Sequence, residues 1–166
     1  MPIVAAPLAG GPSTPELAIA VASTGGLGFL AGGYKTAAEL DEQINAVRAH
    51  GHAFGVNLFA PNPIDVDPEA LRRYVAELAP IASQYEISLS DEPVDDDDDW
   101  IAKVDLLLAA PVPLVSFTFG LPPAGVITAL RSAGSITAQT VTSVTEARAA
   151  AEAGVDLLVV QSAAGQ

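Results

Sequence analysis

A parallel α/β fold of the (β/α)8-barrel type, incomplete at about six units, is predicted for this chain by three observations. Short apolar runs recur near residues 3, 28, 56, 115, 138 and 158, each followed by turn residues and then a helical pattern. The runs are apolar nearly throughout instead of alternating, as a parallel sheet covered on both faces requires. Glycine closes one helical pattern after another, in the place of a left-handed C-terminal residue. Six units fall short of the eight that close a barrel. An open, doubly wound sheet is the alternative.

The opening run, residues 3–6, stops at Pro7-Leu8-Ala9-Gly10-Gly11-Pro12. Its C-terminal edge therefore faces a loop, and α/β folds bind ligands at that edge. Ser13 with Glu16 fits a capping box and Pro15 suits a first helical turn, so a helix begins near Thr14 and ends at Gly25-Gly26. A short strand over 27–31 follows. Thr36 with Glu39 is a second capping box, ahead of Leu40, Ile44 and Val47 on one face, and Gly51 stops that helix. Residues 53–59 form the next strand, ended by Pro61-Asn62-Pro63.

Two helical patterns then stand where one would serve, so an extra helix is expected between the third and fourth strands. One spans about 67–85, with Leu71, Val75, Leu78 and Ile81 on a face and a kink expected at Pro80; the other spans 98–108. The strand 113–118 follows. Val126, Ile127 and Leu130 mark a helix closed by Gly134, before the strand 136–141. Ser143 with Glu146 opens an alanine-rich helix closed by Gly154, before the strand 156–161.

With 166 residues, 50% of them hydrophobic, the chain is long enough for one domain over 1–166 with a substantial core. The net charge of -13, from 20 acidic against 7 basic residues, argues against nucleic acid or an anionic membrane as partner and leaves a small molecule. No cysteine is present, which excludes disulfides, thiolate metal sites and a Cys nucleophile. The N-terminus has no basic, then apolar, signal pattern and no run is long enough to span a bilayer, so a soluble, cytoplasmic protein is expected.

Asn57 is a polar side chain inside an apolar strand, where it must find partners: a ligand's polar edge or a neighbouring loop. Gln161 holds the equivalent place on the last strand, and Gln139 and Thr140 sit late in the one before. Polar residues at the ends of several parallel strands converge on one mouth. Thr118 and Phe119 stand at that mouth, whereas Phe117 reads as packing. The acidic run 95–99 reads as a solvated loop feeding negative charge into the next helix N-terminus, and no metal site is expected. His50 and His52 flank a helix-ending glycine at the opposite pole and read as surface residues. No hydrolase or kinase motif occurs.

Residues 6–17 and 25–34, Gly55-Val56-Asn57-Leu58-Phe59 and Ser116-Phe117-Thr118-Phe119-Gly120-Leu121-Pro122 closely resemble three successive signatures of the nitronate monooxygenase (2-nitropropane dioxygenase) family. The resemblance implies a TIM barrel that binds FMN non-covalently and oxidises alkyl nitronates with O2, giving a carbonyl compound and nitrite. By position it places Pro7 and Leu8 against the isoalloxazine, Leu8 standing where most members have Met. It gives Asn57, Gln139 and Gln161 to the flavin's polar edge or ribityl chain, and Thr118 to a position where some members carry a His close to the substrate; Phe119 is expected to touch the substrate from its place at the mouth alone. The family's catalytic His belongs to a Gly-Gly-His loop that would lie beyond Gln166, as would the phosphate-binding loops, so the chain resembles the N-terminal half of a member and no catalytic residue is assigned within it. Other flavin barrels, such as an enoyl-thioester reductase, and a non-catalytic interaction module are the alternatives.

Open parallel edges favour pairing with another chain, so a homo-oligomer joined through sheet edges is expected. Light scattering on the purified chain should show an associating species; a monodisperse monomer would contradict this. FMN is expected to bind weakly without its phosphate nest.

Overall fold

The computed structural model describes residues 3–62, 65–94 and 96–162. Pro63 of the Pro-Asn-Pro turn, Asp95 of the acidic run and residues 163–166 lie outside them. Contact density divides the chain into two compact units, Met1–Asn62 with Asp98–Gln166, and Pro63–Asp97.

The larger unit is a parallel sheet of five strands, β1 (Gly28–Ala31), β2 (Phe54–Ala60), β3 (Leu114–Phe119), β4 (Ile136–Val141) and β5 (Leu157–Val160), in the spatial order β1-β2-β3-β4-β5. Its helices are α1 (Pro15–Ser23), α2 (Ala37–Arg48), α4 (Trp100–Ala109), α5 (Ala124–Ser132) and α6 (Val144–Ala153). A strand order that follows the chain without reversing is that of an incomplete (β/α)8 barrel; a doubly wound sheet reverses at a switch point. The strand expected near residue 3 is reduced to one parallel bridge, Val4 to Leu27, with Ala5 N donating to Leu27 O at 2.9 Å. Leu27, the residue before β1, is its one bridge partner among the described residues, and the turn begun at Pro7 ends its extension.

Alternation along the strands decides what each residue faces. Leu30, Val56, Leu58, Val115 and Phe117 turn to the helices and pack with Leu40, Ile44 and Val47 of α2 and with Trp100, Val104 and Leu107 of α4. Trp100 meets Phe117 edge-on at 6.0 Å. The face expected on α2 is therefore the one buried. β5 departs from expectation: although apolar throughout, all four of its residues are exposed, because β4 is its one partner among the described residues.

The caps separate local from long-range effects. Thr36 and Glu39 form the expected reciprocal box, Thr36 N donating to Glu39 Oε2 at 2.7 Å. At α1 the expectation fails by one residue: Thr14 is the N-cap, and Ser13 is buried with its Oγ accepting from Leu8 N at 2.8 Å. At α6, Ser143 accepts from Glu146 N, but Glu146 reaches back to Thr142 N at 2.7 Å instead of to Ser143 N. The acidic loop also acts elsewhere than expected. Asp98 and Asp99 both adopt left-handed backbone, and Asp99, the N-cap of α4, makes no side-chain capping bond there. Asp99 Oδ2 accepts from Ala37 N, the first residue of α2, at 2.8 Å. Asp98 Oδ1 accepts from Tyr34 N at 2.7 Å, and its Oδ2 pairs with buried Lys103 Nζ at 2.8 Å.

The smaller unit holds α3 (Pro68–Gln84), the expected extra helix, with Asp67 as N-cap and Pro80 inside. Leu71, Val75 and Leu78 are half-buried and Ile81 is exposed. The expected apolar face thus reaches full burial nowhere along α3. No helix among the described residues is long and apolar enough to cross a membrane.

Removing one partner of a buried ion pair strands the other charge. Asp98→Ala should therefore cost about 3–5 kcal/mol in urea unfolding, against less than about 1 kcal/mol for Arg131→Ala, whose pair with Asp156 is half-exposed. Glu39, Glu146 and Asp156 are each held below the ordinary carboxylate value, first by the backbone N–H groups of Thr36, Thr142 and Thr137. A depressed folded value gives stability that is present above the unfolded value and lost as pH falls through the folded one. Unfolding midpoints should therefore hold from about pH 8 to 5 and fall below about pH 4, with a shallower fall in Asp156→Asn.

Candidate functional site

At the C-terminal edge of the sheet, the loop after the Val4–Leu27 bridge turns through Gly10 and Gly11, both at positive φ. Ser13 closes the loop on itself through Leu8 N. The fold presents Pro7, Leu8, Ala9 and Pro12 to a cavity of ≈ 510 Å³. Asn57, Phe59, Thr118, Phe119, Thr140 and Gln161 line it from the ends of the strands, and Thr142 and Glu146 from the start of α6.

Register brings the strand-end residues together. Asn57 stands level with Ser116, and Phe59 with Thr118. Asn57 is 3% exposed. Its Oδ1 accepts from Ser116 Oγ at 2.7 Å and its Nδ2 donates to Thr118 Oγ1 at 3.0 Å. Asn57 thus ties β2 to β3, a strand and not the loop expected as its structural partner, and it also lines the cavity. Among the described residues, one of its two amide hydrogens has an acceptor. Gln161 joins the ladder through its own N–H, which donates to Val141 O at 3.0 Å.

Pro7, Leu8, Asn57, Thr118, Phe119 and Gln161, all expected at the mouth, line this one cavity. Gln139 does not. It is level with Phe117 in the ladder and turns to the helix side, where its Nε2 donates to Gly120 O at 3.2 Å and Thr140 O at 2.9 Å. The two-residue period of the strand gives its neighbour Thr140 to the cavity instead. Phe59 and Glu146 were not foreseen. The same period, counted two residues on from Asn57, is the signal that points to Phe59; Glu146 comes to the cavity through the path of α6, which no local pattern encodes.

Among the described residues Glu146 is the one acidic side chain of the lining, and no basic side chain joins it. The Thr142 N–H holds its carboxyl below the ordinary range, so near neutral pH it is ionised and a weak proton acceptor. His50 and His52 are exposed, His50 Nδ1 lying 3.0 Å from Ala46 O and His52 Nε2 3.4 Å from Ser23 Oγ. Among the described residues no three His, Cys, Asp or Glu side chains are grouped to hold a metal ion.

Comparison with known proteins bears on this cavity. A family model described as nitronate monooxygenase matches residues 1–165. A probable nitronate monooxygenase of Bacillus subtilis (strain 168) is 37% identical over 161 residues, covering 96% of this chain and 46% of the relative. One of Staphylococcus aureus (strain Newman) is 32% identical over 161 residues, covering 96% and 45%. Among solved structures, a nitroalkane oxidase from Streptomyces ansochromogenes matches with a TM-score of 0.90 and 48% identity, over 97% of this chain and 46% of that one. FabK from Thermotoga maritima matches with a TM-score of 0.68 and 25% identity, over 96% and 40%. The chain spans about half the length of the relatives it matches. With the family model matching all but its last residue, this chain belongs to the nitronate monooxygenase family.

Proposed function

We propose that this chain forms one wall of an FMN site at which alkyl nitronates are oxidised by O2 to a carbonyl compound and nitrite. The observation that carries the reading is the cavity itself, in which an apolar loop, the polar ends of four strands and the start of α6 converge. Its volume of ≈ 510 Å³ falls within the roughly 300–1,000 Å³ of small-molecule sites. Its lining fits the ring end of the cofactor: Pro7 and Leu8 offer a flat apolar surface, and Asn57 offers a donor to a heterocyclic edge, with Gln161 beside it in the lining. It does not fit the phosphate end, because among the described residues no cation lines the cavity and the Glu146 carboxylate would repel a dianion. The phosphate is thus left to groups outside this lining.

When bound, the flavin supplies a two-electron acceptor that O2 regenerates. The chain's own residues bind and orient. Asn57, itself fixed by Ser116 and Thr118, directs an amide hydrogen into the cavity. Thr118 offers its hydroxyl to a substrate oxygen, and Leu8, Phe59 and Phe119 keep water from the reacting face. A nitronate arrives already deprotonated, so these residues need not take a proton from it, in keeping with an ionised Glu146. The identity and TM-score of the nitroalkane oxidase match, both well above those of FabK, support this reading over another flavin reaction. The exposed strand β5 supports self-association through a sheet edge.

FMN fluorescence should be quenched on titration with the purified chain, and Asn57→Ala should weaken the binding about tenfold. With the nitronate of 1-nitropropane and FMN, nitrite should appear in step with O2 consumption. Oxidation of NADH without nitrite release would replace this reading with that of a reductase.

A further inference from the structure

Tyr34 (φ 62°) and Phe119 (φ 72°) are bulky aromatics in left-handed backbone, a conformation that such side chains rarely adopt. Burial does not account for either, since Tyr34 is 76% and Phe119 68% exposed. What they share is a neighbour. Tyr34 meets the Phe59 ring edge-on at 5.3 Å, and Phe119 meets it edge-on at 4.7 Å. Strain kept without burial directs attention to what the strained residues hold in place.

Both ends of this row are fixed. Tyr34 N donates to Asp98 Oδ1 at 2.7 Å, and Asp98 is anchored by Lys103, itself 1% exposed. Lys35 Nζ donates to Ala31 O at 2.7 Å, holding the same loop to β1. Gly33 gives the Phe59 ring its room, because a Cβ there would stand 2.3 Å from the ring. At the other end Gly120 N donates to Ala60 O at 3.2 Å, and a Cβ on Gly120 would stand 2.1 Å from Pro61 O. Phe59 and Phe119 line the cavity, and Tyr34 backs Phe59.

We infer that Phe59, braced on its two edges by Tyr34 and Phe119, is a specificity-determining wall that selects an apolar hydrocarbon substituent on the substrate. Thr118 stands level with Phe59 in the ladder, so a substrate whose polar group bonds the Thr118 hydroxyl lays its adjoining carbons on the Phe59 ring. The chain then extends toward Phe119. Linear alkyl groups gain contact with each added methylene, whereas polar substituents of the same length gain nothing there. Only the identity of the polar group rests on the nitronate reading; the apolar selection rests on the three rings.

The test is the binding, by calorimetry, of the neutral primary nitroalkanes from nitroethane to 1-nitrohexane to the purified chain. Affinity should rise about threefold to fourfold per methylene. In Phe59→Ala, and separately in Phe119→Gly, the gradient should fall below about twofold per methylene. Phe119 is exposed and its backbone suits glycine, so the second variant retains the fold if the first does not. An unchanged gradient in Phe119→Gly, or no gradient in the wild-type chain, including no binding, overturns the inference. Nitrite release from the matching nitronates, measured in parallel, separates the two readings. A gradient without nitrite keeps the wall and removes the nitronate assignment; nitrite with a gradient indifferent to both rings does the reverse.

Discussion

The parallel register between β2 and β3 is the constraint on which the rest of this structure depends. Asn57 opposite Ser116 and Phe59 opposite Thr118 set which side chains meet at the C-terminal edge. The same alignment sends Leu58 and Phe117 to the helices as core. Because side chains alternate, a slip of β2 by one residue would exchange its two sets, placing Asn57 in the apolar layer and Leu58 on the cavity side. The Ser116–Asn57–Thr118 hydrogen bonds oppose that slip, since a displaced Asn57 would be buried without partners. Lining and core are two faces of one ladder.

A second constraint comes from the excess of acid. With a net charge of -13, many carboxylates would repel one another, yet those with structural roles accept hydrogen bonds from backbone N–H groups. Glu39, Glu146, Asp98 and Asp99 each satisfy a donor at a helix start or a turn. Such bonds orient the loop that bears the donor, and at Glu39 and Glu146 they hold the carboxyl below its ordinary value. Asp98 does more, joining the β1–α2 loop to the buried Lys103 of α4 and so fixing the aromatic row beside the cavity from behind.

Membership of the nitronate monooxygenase family gives this cavity its chemical setting. Apolar surface comes from the first loop and from Phe59 and Phe119, and hydrogen-bonding groups from Asn57, Thr118, Thr140 and Gln161. A flat ring with one polar edge suits that division, and a small substrate with a polar head and a hydrocarbon tail suits what remains of it. Glu146 stands at the α6 end of the lining, and the chain matches about half the length of its relatives.

Much of the fold was legible because helices and their ends are local. The Thr36–Glu39 box, the buried Leu40, Ile44 and Val47, and the strands near 56, 115 and 138 all stand where spacing and capping put them. So do Pro7, Leu8, Asn57, Thr118, Phe119 and Gln161, each at the end of a strand or in the loop beyond one. What spacing did not reveal depends on partners far along the chain. Asp98 and Asp99 serve backbone groups 64 and 62 residues away. Ser13 leaves α1 to Thr14 and closes a loop instead, and β5 is exposed although it reads as a covered strand. Gln139 and Thr140 differ by one residue, and only pairing with β3 decides which enters the cavity. Short-range hydrogen bonds and hydrophobic period, which the sequence carries by itself, determined the elements; strand register across long separations, which exists only once the chain has folded, decided which side chains share a site.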